Sequence, residues 1–424
     1  MSTPPPRAAT RARVLDLLRT AGTLSRVELA ARTGLTPATI THAVRDLIAD
    51  GLVHEVGRAR SNGGSPRRLL ELVADARYAV GIQLDRCRTT VVVTDFLGRR
   101  LAGTVLPGVG RGEPGATLAA LAVEVEQVLL EAAVPRDRVL GVGLVTHGPQ
   151  DRIRGVIRTA QPTPAWQDFP LTSTLSARLG LPVVLENDAT AAAVGEQWAG
   201  DAGTDTFGVL YLASGIGGGV ILGGDVYGDE TANVVEVGHI PLDPTWSGVC
   251  GCGNVGCTEQ LAGPSAVVRE AGLLPGVVDR LGLSGDGDRL LDDFDALARA
   301  ALDGDTEVRP VLDRAAAHLG AAAVTLMNLF DLDTVVLAGP GFAVAGPVVL
   351  AGARPVVERG ALARLLRPVQ LRVSADPQAV AAVGGALVVL RGSRGLDLST
   401  TPFIQPSSPG HRVGNVWDEP VVPA

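Results

Sequence analysis

Three of the chain's four cysteines, Cys250, Cys252 and Cys257, fall within eight positions of one another, and His239 lies a short way upstream. A Cys-x-Cys-x4-Cys loop that also carries Gly251, Gly253 and Gly256 folds back tightly enough to offer three thiolates to one ion, since glycine accepts backbone conformations that other residues avoid. A histidine imidazole completes a tetrahedral set of the kind zinc takes. With all four positions filled by protein, such a site holds structure and leaves no open position for catalysis. A disulfide is the competing use of these thiols, but clustered cysteines in a chain without a secretory leader favour metal. Glu236 stands three residues before His239, so on a helical turn the two share a face, one reaching the metal while the other faces a ligand.

A chain of 424 residues with 46% hydrophobic content has room for two or three domains. No apolar run approaches the ~20 residues of a spanning helix, and the start, MSTPPPRAAT, has no signal-peptide core, so a soluble, cytoplasmic protein is expected. The overall charge of −8 is unevenly spread. Residues 1–72 hold eleven arginines against six acidic residues, and the remainder holds 26 basic against 39 acidic. A basic head on an acidic body suggests a nucleic-acid module joined to something else.

In the head, a helix from Thr10 places Val14, Leu15, Leu17 and Leu18 on one face and stops at Gly22. A second starts at Ser25, with Glu28 forming a capping box. Gly34 breaks the chain, and Thr36-Pro37 opens a third helix that ends at Gly51. Two short helices across a tight turn make a helix-turn-helix. On the third, Ile40, Val44, Leu47 and Ile48 form the apolar stripe, which leaves Thr39, Thr41, His42 and Arg45, with Thr36 at the cap, for a DNA groove. The alternating segments that follow, turning at Asn62-Gly63-Gly64, read as a hairpin wing whose Arg58, Arg60, Arg67 and Arg68 would neutralise phosphates or enter a narrow minor groove. The expected unit is a winged helix-turn-helix over 8–73.

From 78 to 392 strands alternate with helices, beginning with three consecutive strands through Leu106, and the length points to two α/β lobes with a cleft, at 78–200 and 201–392. Glu186-Asn187-Asp188 ends an apolar strand, where ligand groups collect; a carboxylate there accepts a hydroxyl proton and an Asn amide bonds sugar hydroxyls. Ser214 to Gly219 and Gly339-Pro340-Gly341 follow strands as glycine loops able to approach phosphate. The segment 393–424, rich in Pro, Ser and Gly, reads as a flexible tail or a docked arm, with Trp417 its one hint of a docked end.

Glu236-x-Gly238-His239, Cys250-x-Cys252-Gly253-x-x-Gly256-Cys257-x-Glu259 and Asn187-Asp188 together resemble the ROK family, which groups sugar-responsive transcriptional repressors with sugar kinases. The resemblance implies an actin-like (ribonuclease H-like) two-lobed ATPase fold, preceded here by the winged helix-turn-helix of the regulator branch. It implies structural zinc on His239, Cys250, Cys252 and Cys257, and sugar contacts from Asn187, Asp188, Glu236, His239 and Glu259, Asp188 being the catalytic base in kinase members. This chain departs from the kinase pattern at Gln83-Leu84-Asp85-Arg86-Cys87, where the family's Asp-x-Gly-Gly-Thr phosphate hairpin has lost its leading Asp, both glycines and the Thr. It also carries Pro162 where an Asn precedes the Trp, with Gln161 as a substitute, and His147 in the usual Pro-Gly turn. The resemblance thus implies a homo-oligomeric, non-enzymatic repressor of carbohydrate genes that binds double-stranded DNA and answers to a sugar or sugar phosphate. The competing expectations are an ATP-dependent sugar kinase with an inherited head and a ligand-independent DNA-binding protein.

Overall fold

The computed structural model describes residues 6–58, 67–199, 204–228 and 234–392. The head comprises α1 (Pro6–Ala21), α2 (Arg26–Thr33), α3 (Pro37–Ala49), β1 (Val53–Arg58) and β2 (Arg68–Leu72). Its caps follow the expected chemistry. The Ser25 amide donates to the Glu28 carboxylate at 2.7 Å while the Glu28 amide donates to Ser25 Oγ, and Gly34 at φ +69° turns the chain towards α3. Thr36 Oγ1 accepts from the Thr39 amide to start α3. Ile40, Val44 and Leu47 are fully buried, against Val14, Leu18, Leu29 and Leu70. β1 and β2 pair antiparallel, but the wing tip with Arg60 and Asn62-Gly63-Gly64 lies outside the described residues, as does the tail from 393.

The first sheet runs β7-β6-β3-β4-β5, built from β3 (Tyr78–Leu84), β4 (Arg88–Asp95), β5 (Arg100–Pro107), β6 (Val139–Thr146) and β7 (Val183–Asn187). The hairpin strands β3 to β5 are antiparallel, and β6 and β7 join parallel to β3. Helices α4 (Pro114–Glu131) and α5 (Leu171–Leu179) cover one face, with Leu118, Leu121 and Leu175 packed on Val80, Ile82 and Leu144. The second sheet is built from β8 (Phe207–Leu212), β9 (Ile216–Leu222), β10 (Thr334–Ala338) and β11 (Gln370–Val373) in the order β9-β8-β10-β11, with the two-residue edge strand Asp225–Val226 paired outside β9. Its outer face is covered by α10 (Arg309–Phe330) and α11 (Phe342–Gly360) and, beside them, α8 (Pro264–Ala271) and α9 (Leu290–Leu302), after the short α7 (Thr258–Ala262).

Between the sheets lie α6 (Asp188–Ala199) and the final helix, α12 (Val380–Gly392), packed on each other. Sequence order placed α12 in the second lobe, but its packing is on β3 and β6 of the first. Glycine makes that possible. A Cβ at Gly81 would stand 1.7 Å from the Ala382 carbonyl oxygen, and one at Gly143 would stand 2.1 Å from that of Gly385. The result is a five-layer stack with the cleft at the edge of its middle layer.

The glycine stretch at Gly217 to Gly219 is strand rather than loop. These residues pair with Tyr211, Leu210 and Val209 of β8, and the turn is confined to Ala213–Gly215. Their missing side chains let α6 approach, since a Cβ on Gly219 would meet the Ala189 carbonyl at 2.4 Å. Gly339 and Gly341 likewise donate their amides to Pro377 and Leu212, so neither is left for a phosphate.

Candidate ligand cleft and DNA-binding head

The parallel strands β6 and β7 end side by side, Asn187 opposite Thr146, which brings His147 and Asn187-Asp188 to one rim. The other rim is the segment from Glu236 through Glu259. Together they enclose a cavity of about 1290 Å³ whose lining includes Asn187, Asp188, Glu236, His239 and Glu259, the five expected sugar contacts. Gln161 and Pro162 line it as well.

Each of these side chains is held by its own backbone surroundings. Asn187 Oδ1 accepts from the Ala189 and Thr190 amides at 3.0 and 3.1 Å and so caps α6, which aims its amide nitrogen elsewhere. Glu259 Oε2 accepts from the Ile216 amide at 3.1 Å. Burial, with the Asp85 and Glu236 carboxylates adding to it and the Ala189 amide opposing it, pushes Asp188 up to about 8. At neutral pH most of that carboxyl carries its proton, so it donates to a hydroxyl as well as accepting from one. Burial also raises Glu236, opposed by the His239 imidazole and reinforced by Glu259. It lowers His147, against the pull of Asp85.

Behind the Glu236 rim, one donor atom from each of His239, Cys250, Cys252 and Cys257 lies within 4.8 Å of the others, a group able to hold a metal ion. His239 ends a single 3₁₀ turn, Val237–His239, that begins at Glu236, so the expected sharing of one turn holds. Without a metal, burial and the neighbouring thiols push Cys257 up to about 12, and a bound cation reverses that penalty. Gln260 had no sequence signal. Its Oε1 accepts from the Gly256 amide at 3.0 Å and its Nε2 donates to Gly248 at 3.1 Å, pinning both ends of the cysteine loop.

Arg86 also lines the cavity, and the β3–β4 turn that carries it is closed against the second lobe. Asp85 is buried, accepts from the Cys87 amide at 2.9 Å and takes the Ser214 hydroxyl at 2.5 Å. Arg86 pairs with Asp288 at 2.8 Å, and Arg88 with Asp295 and Asp292 at 2.6 and 3.2 Å. Asp293 accepts from the Ser284 and Gly285 amides and so holds the loop carrying Asp288. Burial and Asp85 raise the Cys87 thiol to about 11, which makes it an inert packing group. None of these acidic partners was legible as such in the sequence, since they lie some 200 positions from the turn.

In the head, Thr36, Thr39, Thr41, His42 and Arg45 are all exposed along one side of α3. Thr36 and Thr39 hydroxyls bond each other at 2.8 Å, while Thr41 and His42 bond the carbonyls one turn back. Arg67 and Arg68 are exposed, Arg68 opening the second wing strand and Arg67 just before it. Arg68 is paired with Glu55, which Arg26 also reaches at 3.0 Å, so a phosphate would have to share that guanidinium.

The ROK family profile matches residues 114–391, and a winged helix-turn-helix DNA-binding profile matches residues 7–54. The chain belongs to the ROK family. It is 28% identical over 324 residues to the xylose repressor of Caldicellulosiruptor bescii, covering 74% of this chain and 78% of that protein. It is 28% identical over 334 residues to the DNA-binding transcriptional dual regulator NagC of Escherichia coli K12, covering 77% and 79%. Among solved structures, a ROK family transcriptional regulator described as a homologue of E. coli MLC protein superposes with a TM-score of 0.70 at 23% identity, covering 92% of this chain and 98% of that one, which supports the fold with its head. A ROK family glucokinase from Streptomyces griseus, solved with glucose and AMPPNP, gives 0.60 at 29% identity, covering 73% and 98%. No described helix of this ROK protein is long and apolar enough to cross a membrane.

Proposed function

We propose that this ROK protein is a DNA-binding transcriptional regulator, a repressor of carbohydrate genes, whose grip on its operator is set by a sugar bound between the lobes. The observation that carries the reading is the cleft itself. Its sugar-facing residues converge on one cavity while the turn that would cradle phosphate is taken up by ion pairs. The repressor names of its relatives point the same way. Asn187, Asp188, Glu236, His239 and Glu259 are the sugar contacts of this reading, with Asp188 a binding group and no residue catalytic.

The metal of the His239, Cys250, Cys252 and Cys257 group is zinc in this proposal. About 2.3 Å to sulfur and 2.0–2.1 Å to nitrogen in a tetrahedron require ligand separations of about 3.8 Å between sulfurs and 3.6 Å between sulfur and nitrogen. Cys252 and Cys257 sulfurs lie 3.6 Å apart, and Cys250 Sγ lies 3.6 Å from His239 Nδ1. The ion would hold the loop that presents Glu236 and Glu259. Thr36, Thr39, Thr41, His42 and Arg45 of each head would enter a major groove, with Arg67 and Arg68 on phosphates. A homodimer would set two such heads one DNA turn or a multiple apart.

The test is fluorescence anisotropy of the protein, as purified, on the DNA upstream of its own gene at fixed salt. Xylose, glucose, N-acetylglucosamine and their phosphates form the panel. One compound is expected to change DNA affinity about a hundredfold, equivalent to ~2.7 kcal/mol of coupling. Sugar-dependent ATP hydrolysis, or an affinity that no sugar moves, would refute the reading. Replacing Arg67 and Arg68 with Ala should lower the salt slope of binding by about 0.9 for each phosphate no longer neutralised, and an unchanged slope removes the wing from the interface.

A further inference from the structure

Helix α6 joins the two places that such regulation must connect. Its first turn is the cleft rim at Asn187 and Asp188. Roughly 15 Å further on, at 1.5 Å per residue, its last turn carries Trp198 into the seam between the head and the first lobe. There the Arg19 guanidinium, from the last turn of α1, lies 4.5 Å from the centre of the Phe96 ring and 5.0 Å from that of Trp198. The Arg19 side chain is 1% exposed. The Trp198 indole N–H donates to the Leu97 carbonyl, and Val194 shares an apolar cluster with Val14, Leu15 and Leu18 of α1. Arg391 of α12 stands 5.7 Å from the same indole.

Between its ends α6 is gripped on both sides. A Cβ on Gly384 of α12 would fall 1.7 Å from the Ala191 carbonyl oxygen, and one on Gly195 would fall 2.4 Å from that of Val380. On the other side, Gly219 of β9 is closed against Ala189 in the same way. A helix packed backbone to backbone passes a displacement along as a body rather than absorbing it in side-chain adjustments. The attraction of a desolvated guanidinium for a ring face depends on where the ring stands, so it is sensitive to small shifts of the indole.

We propose that the seat of Arg19 between Phe96 and Trp198 is the joint through which occupancy of the cleft sets the attitude of the DNA-binding head, with α6 as the connecting rod. This rests on the reading of the cleft as the effector site. Phe96 sits in the turn directly after β4 of the first sheet, whereas Trp198 rides on α6, so a pull on Asp188 changes the gap in which the guanidinium sits.

The test uses full-length Arg19→Met and Trp198→Phe, with DNA affinity measured by anisotropy and sugar affinity by calorimetry against xylose, glucose and N-acetylglucosamine. A sugar that moves wild-type DNA affinity about a hundredfold should move that of Arg19→Met less than threefold, while its own affinity stays within threefold. The sugar should also shift wild-type tryptophan emission, and that shift should vanish in Trp198→Phe. This second readout decides the matter even where Arg19→Met fails to fold. A full DNA response in Arg19→Met, or an undiminished emission shift in Trp198→Phe, overturns the joint. A wild type that binds a sugar without any change in DNA affinity overturns the effector reading instead, and the joint with it.

Discussion

Two parts of the cleft differ in what their polar atoms meet. At one, Asn187, Asp188, Glu236 and Glu259 face a shared cavity, backed by a Cys₃His group able to hold a metal ion. At the other, Gln83 to Cys87 form a turn whose polar atoms are spent on Ser214, Asp288 and Asp295 across the cleft. On the proposed function, the first recognises hydroxyls. The second carries side-chain ion pairs that clasp the lobes.

The recognition end should suffer most from loss of its support. Cys252→Ser removes one of the four donors, and a structural zinc contributes about 10 kcal/mol or more in small peptides. Here Gln260 and the surrounding core remain, so the expected loss is roughly 2–5 kcal/mol in urea unfolding. Metal content measured by mass spectrometry should fall together with sugar affinity. Retained metal with full stability would mean that the cysteine loop stands on its hydrogen bonds alone.

A smaller effect is expected at Asp188, and its sign follows from the raised pKa. An unfolded Asp loses its proton near pH 3.9, whereas the folded one holds it up to about 8. Between those values the native state binds more protons, so stability falls as pH rises and the full cost is reached above pH 8. Asp188→Asn has no such proton to lose. From pH 5 to pH 8.5 the wild type should therefore lose up to about 4 kcal/mol more than the variant. Parallel stability curves would show that Asp188 is ionised throughout, with its charge met by a group the geometry does not reveal.

How much of this contrast was readable in advance depends on how far apart the partners lie. Caps and local turns were legible, since Ser25 with Glu28, Thr36 with Pro37, and Glu236 with His239 each act within four positions. The metal group was legible because ligand chemistry demands clustered thiols. The loss of the phosphate hairpin was visible at Gln83 to Cys87, but its replacement was not, because Asp288 and Asp295 look like any acidic residues around a helix start. The glycines misled for a related reason. Gly217 to Gly219 suggest a loop by composition, and only the proximity of Ala189 reveals that their missing side chains make room for α6.

The clasp should yield a graded loss. Arg88→Ala leaves Asp295 buried without its partner, which is expected to cost about 2 kcal/mol. Arg86→Ala breaks a pair that is about a third exposed on both sides, so solvent screening reduces its cost to about 0.5 kcal/mol. Equal effects from the two would mean that the lobes separate once either bond goes, and that the clasp acts as one unit.

The smallest effect expected is that of a nucleotide. A ligand bound only by the native state stabilises it by about 2.7 kcal/mol at a hundred times its dissociation constant, so Mg²⁺-AMPPNP at 1 mM would register clearly in thermal unfolding for any site of roughly 10 μM affinity. With Asp85 engaged by Ser214, and Gly339 and Gly341 amides committed to backbone carbonyls, few of these groups are left as donors for a triphosphate. The expected stabilisation is below about 0.5 kcal/mol, with or without sugar. A larger shift that disappears in Arg86→Ala would place the phosphates on the turn after all, and the arginine would then be serving as a phosphate ligand that ordinarily rests on Asp288. A larger shift that persists in Arg86→Ala would locate nucleotide elsewhere and leave the clasp intact.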